Sequence, residues 1–149
     1  MMNRLLIIRH ARADDAEETA VLLGQLGYPN DADFARQKIA RLHGPQDAVL
    51  VADRAGQVVG LLGLHLIPTL HDAGFLGKVT ALVVLETCRG QGIGRALLAE
   101  AERFAAAAGA LRMEVLSGNH RTDAHQFYRA AGYSGSDHSR FVRALGPGK

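Results

Sequence analysis

The sequence contains no tryptophan, one cysteine and four prolines, and aromatic residues make up only 5% of its 149 positions. A single thiol, Cys88, excludes an internal disulfide, which fits a reducing compartment. As a lone cysteine it reads as a bystander more readily than as a nucleophile. No apolar run approaches the ~20 residues a membrane-spanning helix needs. The opening MMNRLLIIRHARADD turns charged too early for a secretory leader, so a cytoplasmic protein with no membrane partner is expected. Positive charge is also in short supply: 17 Lys and Arg against 15 Asp and Glu leave a formal charge of +2. The arginines are scattered, and few aromatics accompany them, which argues against nucleic acid as the main partner. Internal repeats, linkers and low-complexity stretches are absent too, and the length suits one domain spanning residues 1–149.

What is present is a regular alternation of elements. RLLIIRH (Arg4–His10) reads as a strand. DDAEETAVLLGQLG follows as a helix, with Asp14 as N-cap, Ala16, Ala20, Leu23 and Leu26 as its apolar stripe and Gly27 as its stop. DADFARQKIARLHG repeats that grammar with Phe34, Ile39 and Leu42. AVLVADRAGQVVGLLGLHLIPTL splits at Arg54-Ala55-Gly56-Gln57 into a hairpin, and FLGKVTALVVLE supplies a further strand. A helix from about Gly92 to Ala108 would bury Ile93, Leu97, Ala101, Phe104 and Ala108. LRMEVLS reads as a strand, TDAHQFYRAAG as a helix with Ala124, Phe127, Tyr128 and Ala131 on one side, and HSRFVRAL as a closing strand, with one more conceivable near Tyr133. The order β-α-α-β-β-β-α-β-α-β mixes hairpins with crossovers and predicts a mixed α/β sheet flanked by helices.

The chemistry concentrates in VVLETCRGQGIGRALLAEAE, where glycines at alternate positions join a strand to a helix. Such a loop lets backbone approach phosphates without Cβ obstruction, and the unpaired N–H groups of the first helical turn then point at the anion. A P-loop is excluded because no Lys-Ser or Lys-Thr follows Gly94. The dinucleotide fingerprint fails because Arg95 stands where its third glycine belongs, and Glu114 lies inside a strand. The pattern that fits is R-x-x-G-x-G, as Arg89-Gly90-Gln91-Gly92-Ile93-Gly94. Downstream, SGNHRTDAHQFYRAAGY places Asn119 at a strand end ahead of a helix carrying Phe127-Tyr128 and ending in Gly-Tyr.

These two signatures, in this element order, resemble the GNAT (GCN5-related N-acetyltransferase) family over essentially the whole chain. The resemblance implies the acyl-CoA N-acyltransferase fold and acetyl-CoA as co-substrate. Pantetheine would pair with the backbone of Leu82, Val83 and Val84, and the pyrophosphate would rest on the N–H groups of Gln91, Gly92, Ile93, Gly94 and Arg95. Arg89 and Arg95 would add charge-assisted contacts, and Asn119 would hydrogen-bond the coenzyme. Tyr128 matches the family's general acid beside the coenzyme sulfur, and a phenol with a reference pKa of about 10 stays protonated where a thiol titrates at about 8.5. Many members carry a glutamate base on the strand leading to the loop. Here that stretch is GKVTALVV, with Lys78, Thr80 and Ala81 and no carboxylate.

The proton of the attacking amine must therefore leave another way. His65 and His71 in GLHLIPTLHD are the candidates, since imidazole suits the task. No histidine or cysteine spacing gives a metal site, although His65, His71 and Asp72 leave a divalent ion open. The resemblance places the acceptor between the first two helices, around Leu26 to Phe34, with Tyr28 as the aromatic contact. GLHLIPTLHDAGFLGKVTALVV and HSRFVRAL are similar to runs in small bacterial acetyltransferases that include aminoalkylphosphonate N-acetyltransferases. That predicts acetyl transfer by direct attack of a small-molecule primary amine, with a homodimer as the expected assembly. A protein or peptide N-acetyltransferase and a non-catalytic CoA-binding regulatory module are the alternatives.

Overall fold

The computed structural model describes residues 5–116, 122–135 and 138–147. They fall into two compact units, the first ending at Leu116. The first unit contains five strands, β1 (Leu6–His10), β2 (Asp47–Arg54), β3 (Gln57–Pro68), β4 (Phe75–Val84) and β5 (Ala110–Val115), and three helices, α1 (Ala16–Leu26), α2 (Ala32–Arg41) and α3 (Ile93–Ala107). The second contains helix α4 (Thr122–Ala130).

The strands lie in the order β1-β2-β3-β4-β5. The first three pairings are antiparallel and β4–β5 is parallel, which its crossover through α3 requires. Ala55 and Gly56 turn the β2–β3 hairpin with φ of 52° and 91°, the two left-handed residues of a tight primed turn. A bulge follows at once. Asp53 pairs with Val58 but Ala52 pairs with Gly60, leaving Val59 as an extra residue.

Register then sorts the core onto two faces. Val51, Leu61 and Val83 stand side by side on one face and pack with Leu22 of α1 and Ile39 of α2. α3 covers the other face with Ile93, Leu97, Leu98, Ala101 and Ala105. It comes down directly on bare backbone: a Cβ at Gly60 would lie 2.9 Å from Leu97 Cδ1 and 3.1 Å from Ile93 Cγ2.

The predicted helices form, with their phases corrected. α1 buries Ala16, Thr19 and Leu22, while Leu23 and Leu26 are only partly covered and Ala20 is not in the core. α2 buries Ala35 and Ile39, leaving Phe34 largely exposed. In α3, Leu98 and Ala105 are buried in place of Phe104 and Ala108.

Asp14 does not cap α1. It lies inside a 3-10 turn, Ala13–Asp15, and Asp15 occupies the N-cap position with its carboxylate turned elsewhere. Asp15 Oδ2 and Oδ1 accept from Arg9 Nη1 and Nη2 at 2.8 and 3.0 Å, and Oδ2 also accepts from Arg12 N at 2.7 Å. Arg9 Nε reaches Asp53 at 3.1 Å. This fork ties β1 to the helix entry and to β2. It holds the Asp15 carboxyl below its ordinary range, chiefly through the Arg9 hydrogen bonds, and raises the Arg9 guanidinium above its own.

The closing strand expected at HSRFVRAL is not formed. Residues 138–145 join no ladder, and Phe141 and Leu145 are 93% and 94% exposed. No strand forms at Tyr133 either. Alternating apolar residues make a strand only where a partner edge pairs with them, and no described segment does so here.

Candidate active site

The glycine loop is built as its residue types demand. β4 ends at Val84, a 3-10 turn covers Glu86–Cys88, and Gly90 and Gly92 then adopt φ of 79° and 83°, left-handed conformations that side-chain-bearing residues resist. Gly92 is the N-cap of α3 and carries no side chain to satisfy the N–H groups of the first turn. α1 and α2 open with acidic residues, Glu17, Glu18 and Asp33, whereas the first turn of α3 has none. The positive end of α3 therefore carries neither a capping side chain nor an acidic residue of its own first turn. Arg95 lies on the exposed side of that turn. Arg89 is turned back, its Nε donating to the Val84 carbonyl at 3.0 Å, so in this conformation it fixes the exit of β4.

The strand ahead of the loop has one free edge. β3 pairs with β4 all the way to Val84, but β5 pairs with it only from Phe75 to Val79. Beyond Val79, among the described residues, no strand occupies the β5 side of Thr80–Val84. At about 3.3 Å per residue this is a free edge of about 13 Å running up to the glycine loop. Leu82, Val83 and Val84 lie on it. Val83 is buried against the α1–α2 side, so the edge is available through backbone and not through that side chain.

At the point where pairing with β5 stops, β4 also bulges against β3. Gly63 pairs with Ala81 and Leu64 with Val79, leaving Thr80 as the extra residue. Its hydroxyl lies 2.9 Å from His65 Nε2, and His65 Nδ1 lies 2.8 Å from Asp47 Oδ1. Three adjacent strands therefore contribute one residue each to a single file, on the sheet face that α1 and α2 cover. Lys78 stands directly across from His65 on β4. Thr80 and Asp47 are functional candidates the sequence reading did not assign.

His71 lies apart, on the connection after β3. Its Nε2 is 3.5 Å from Asp72, whose carboxyl is lowered by a hydrogen bond from Thr69 and by Arg112. Tyr28 follows α1, is more than half exposed, and its carbonyl accepts from Asn30 Nδ2 at 3.2 Å. In the second unit Tyr128 packs edge-on against Phe127 and Tyr133, with ring centroids 5.1 and 6.2 Å away, and the Tyr133 N–H closes the end of α4 on the Tyr128 carbonyl. Asn119 lies outside the described residues. No described helix is long and apolar enough to cross a membrane.

Comparison with known proteins accords with this architecture. The model of the acetyltransferase (GNAT) family matches residues 10–133. An aminoalkylphosphonate N-acetyltransferase of Salmonella typhimurium is 40% identical over 141 residues, covering 93% of this chain and 90% of the relative. Among solved structures, an aminoglycoside N-acetyltransferase in complex with CoA superposes with a TM-score of 0.82 at 18% identity, over 97% of this chain and 99% of that one. The glucosamine-6-phosphate N-acetyltransferase of Arabidopsis thaliana does so with 0.81 at 16%, over 94% and 99%. At those identities the two structures speak for the fold alone, but the family match and the curated relative reach further: the chain belongs to the acetyltransferase (GNAT) family and is an acyl-CoA-dependent N-acetyltransferase.

Proposed function

We propose that this protein, acting as a single catalytic domain, transfers acetyl from acetyl-CoA to the primary amine of a small molecule that also carries an anionic group. The observation that carries the reading is the free edge of β4 from Thr80 to Val84, running into the left-handed glycines ahead of α3. Pantetheine, with its two amides, can pair with that edge as an added strand. The pyrophosphate then falls on the N–H groups of Gln91 to Arg95, with Gly90 giving the loop its approach. Once bound, acetyl-CoA supplies the activated thioester.

The chain's own residues perform the remaining steps. A β4 backbone N–H on that edge, between Thr80 and Val83, polarises the thioester carbonyl, as an oxyanion hole does. The amine attacks directly, and Tyr128 gives a proton to the departing thiolate while Phe127 supports its ring. Asn119 hydrogen-bonds the coenzyme. The acceptor lies on the α1–α2 side with Tyr28 at its rim. The 40% identical relative is named for aminoalkylphosphonates, and Lys78 on that sheet face supports an acceptor bearing a phosphonate or similar anion.

A homodimer in the cytoplasm completes the reading. Its support is the single cysteine and the apolar side chains of Leu111, Phe141 and Leu145 left exposed. Acetyl-CoA consumption over a panel of aminoalkylphosphonates, aminoglycosides, polyamines and peptides tests the function. The aminoalkylphosphonates should give the highest kcat/KM, and a preference for peptides would overturn the acceptor assignment.

A further inference from the structure

We infer that Asp47, His65 and Thr80 form a proton relay that replaces the missing strand carboxylate and draws the proton from the attacking amine. The inference rests on the acetyl-transfer reading above and assigns that reaction its base.

The file has one chemical polarity. A carboxylate only accepts hydrogen bonds, so Asp47 Oδ1 at 2.8 Å places the proton on His65 Nδ1. Nε2 of the neutral imidazole then faces Thr80 Oγ1 at 2.9 Å with its lone pair, and the hydroxyl donates to it. A hydroxyl that donates once retains two acceptor positions, and Thr80 is exposed at the bulge, where one of them is open to an incoming N–H. Gly63 leaves the hydroxyl uncovered on that side: a Cβ there would come into ordinary van der Waals contact, 3.5 Å from Thr80 Oγ1 and 3.7 Å from Ala81 Cβ.

Position supports the same assignment. Thr80 is the first residue of β4 beyond its last β5 partner, so the hydroxyl stands at the inner end of the free edge, remote from the glycine loop. A coenzyme lying along that edge with its pyrophosphate at Gln91–Arg95 brings its thioester end toward this point. Bulges beside active sites commonly re-aim one side chain, and here the re-aimed side chain is the hydroxyl.

The step balances as follows. The amine nitrogen bonds to the thioester carbon and gives up a proton to Thr80 Oγ1 as the hydroxyl proton passes to His65 Nε2. The imidazolium is held by the Asp47 carboxylate. The carbon–sulfur bond then breaks, and the thiolate takes its proton from Tyr128. Transfer of the extra proton from His65 to solvent, and uptake of one from solvent by the Tyr128 phenolate, reset the site. Thr80 touches the substrate and is the catalytic member. His65 and Asp47 act through it as positioning residues.

The test compares His65→Ala, Asp47→Asn, Thr80→Val and Thr80→Ser with the parent, using an aminoalkylphosphonate and acetyl-CoA. CoA binding is followed by calorimetry and folding by thermal melts. Thr80→Val and His65→Ala should lose about 10²-fold in kcat, with acetyl-CoA affinity kept. Asp47→Asn should fall between these and the parent. Two readouts go beyond a structural role: Thr80→Ser should retain most of the rate that Thr80→Val loses, and added imidazole should restore part of the activity of His65→Ala. A parent that acetylates the amine while all three losses leave kcat within about threefold overturns the relay alone. A parent that binds acetyl-CoA but acetylates no amine overturns the acetyl-transfer reading together with the relay. Parallel double-reciprocal lines with an acetyl group trapped on Thr80 would also overturn it, showing a nucleophile in place of a relay.

Discussion

Replacing Gly92 by alanine separates what the loop does for the fold from what it does for the coenzyme. Gly92 has φ of 83°, and a Cβ built on it meets nothing within 4 Å, so the whole structural cost is backbone strain. A left-handed conformation costs an L-residue roughly 1–2 kcal/mol, and for a protein of this size each kcal/mol lowers Tm by about 2–4 °C. The melt should therefore fall by about 2–8 °C. The coenzyme should suffer more, because the added methyl stands in the cradle and the strained residue re-aims the N–H groups of the first α3 turn. Hydrogen bonds to a charged group are worth about 1.5–3 kcal/mol each, so losing two weakens CoA by about 10²- to 10⁴-fold. Gly56 supplies the control. It has φ of 91° and the same empty surroundings, but it sits in the β2–β3 turn. Gly56→Ala should show a comparable Tm loss with CoA affinity unchanged. Calorimetric titration with CoA and a thermal melt on each variant decide the matter. Equal CoA affinity in Gly92→Ala and the parent, with the expected Tm loss, would refute the pyrophosphate cradle.

Tyr128→Phe should lower kcat by about 10²-fold with little change in the KM for acetyl-CoA, and an unchanged kcat would reduce Tyr128 to packing against Phe127 and Tyr133. Asp15→Ala should cost about 3 kcal/mol, seen as a Tm drop of about 6–12 °C, because it leaves the Arg9 fork facing a largely buried gap. Because Arg9 lowers the folded-state pKa of Asp15, that stabilisation is complete above the unfolded carboxyl's value of about 3.9 and is lost as pH falls through the folded value. Acid-unfolding curves of parent and variant should therefore converge below about pH 4. Across acceptors of rising amine pKa at fixed neutral pH, kcat/KM should decline, since the neutral fraction drops about tenfold per unit. Rates indifferent to amine pKa would mean that deprotonation is not limiting.

The parts of the site built from consecutive residues were legible in the sequence. Gly90 and Gly92 had to be glycines for a left-handed loop, and the apolar strand before them and the alanine- and leucine-rich helix after them placed the loop between β4 and α3. What long-range register decides was not legible. Counting from the Ala55-Gly56 turn, Asp47 would face Leu64, which turns its side chain to the opposite side of the sheet from His65. The extra residue Val59 shifts the ladder by one and brings Asp47 opposite His65. The second bulge does the same for Thr80, which an unbroken ladder would have paired with Leu64. Neither bulge has a marker that alternation alone reveals, so a histidine could be named as a base candidate but not its two partners. The helix phases failed for a related reason. α1 turns Thr19 and Leu22 inward because the strands it covers offer Val51, Leu61 and Val83, a surface that helical spacing alone does not specify. The resemblance implies a phosphate contact for Arg89, and its Nε here donates to the Val84 carbonyl, a local contact that the motif does not reveal.

The most direct test incubates the protein with acetyl-CoA and an aminoalkylphosphonate, and follows CoA release together with the mass of the amine product. The account predicts one acetylated amine for each CoA released, with a kcat/KM above that of any peptide in the same panel. Tight acetyl-CoA binding with no acetylated amine from any class would contradict it.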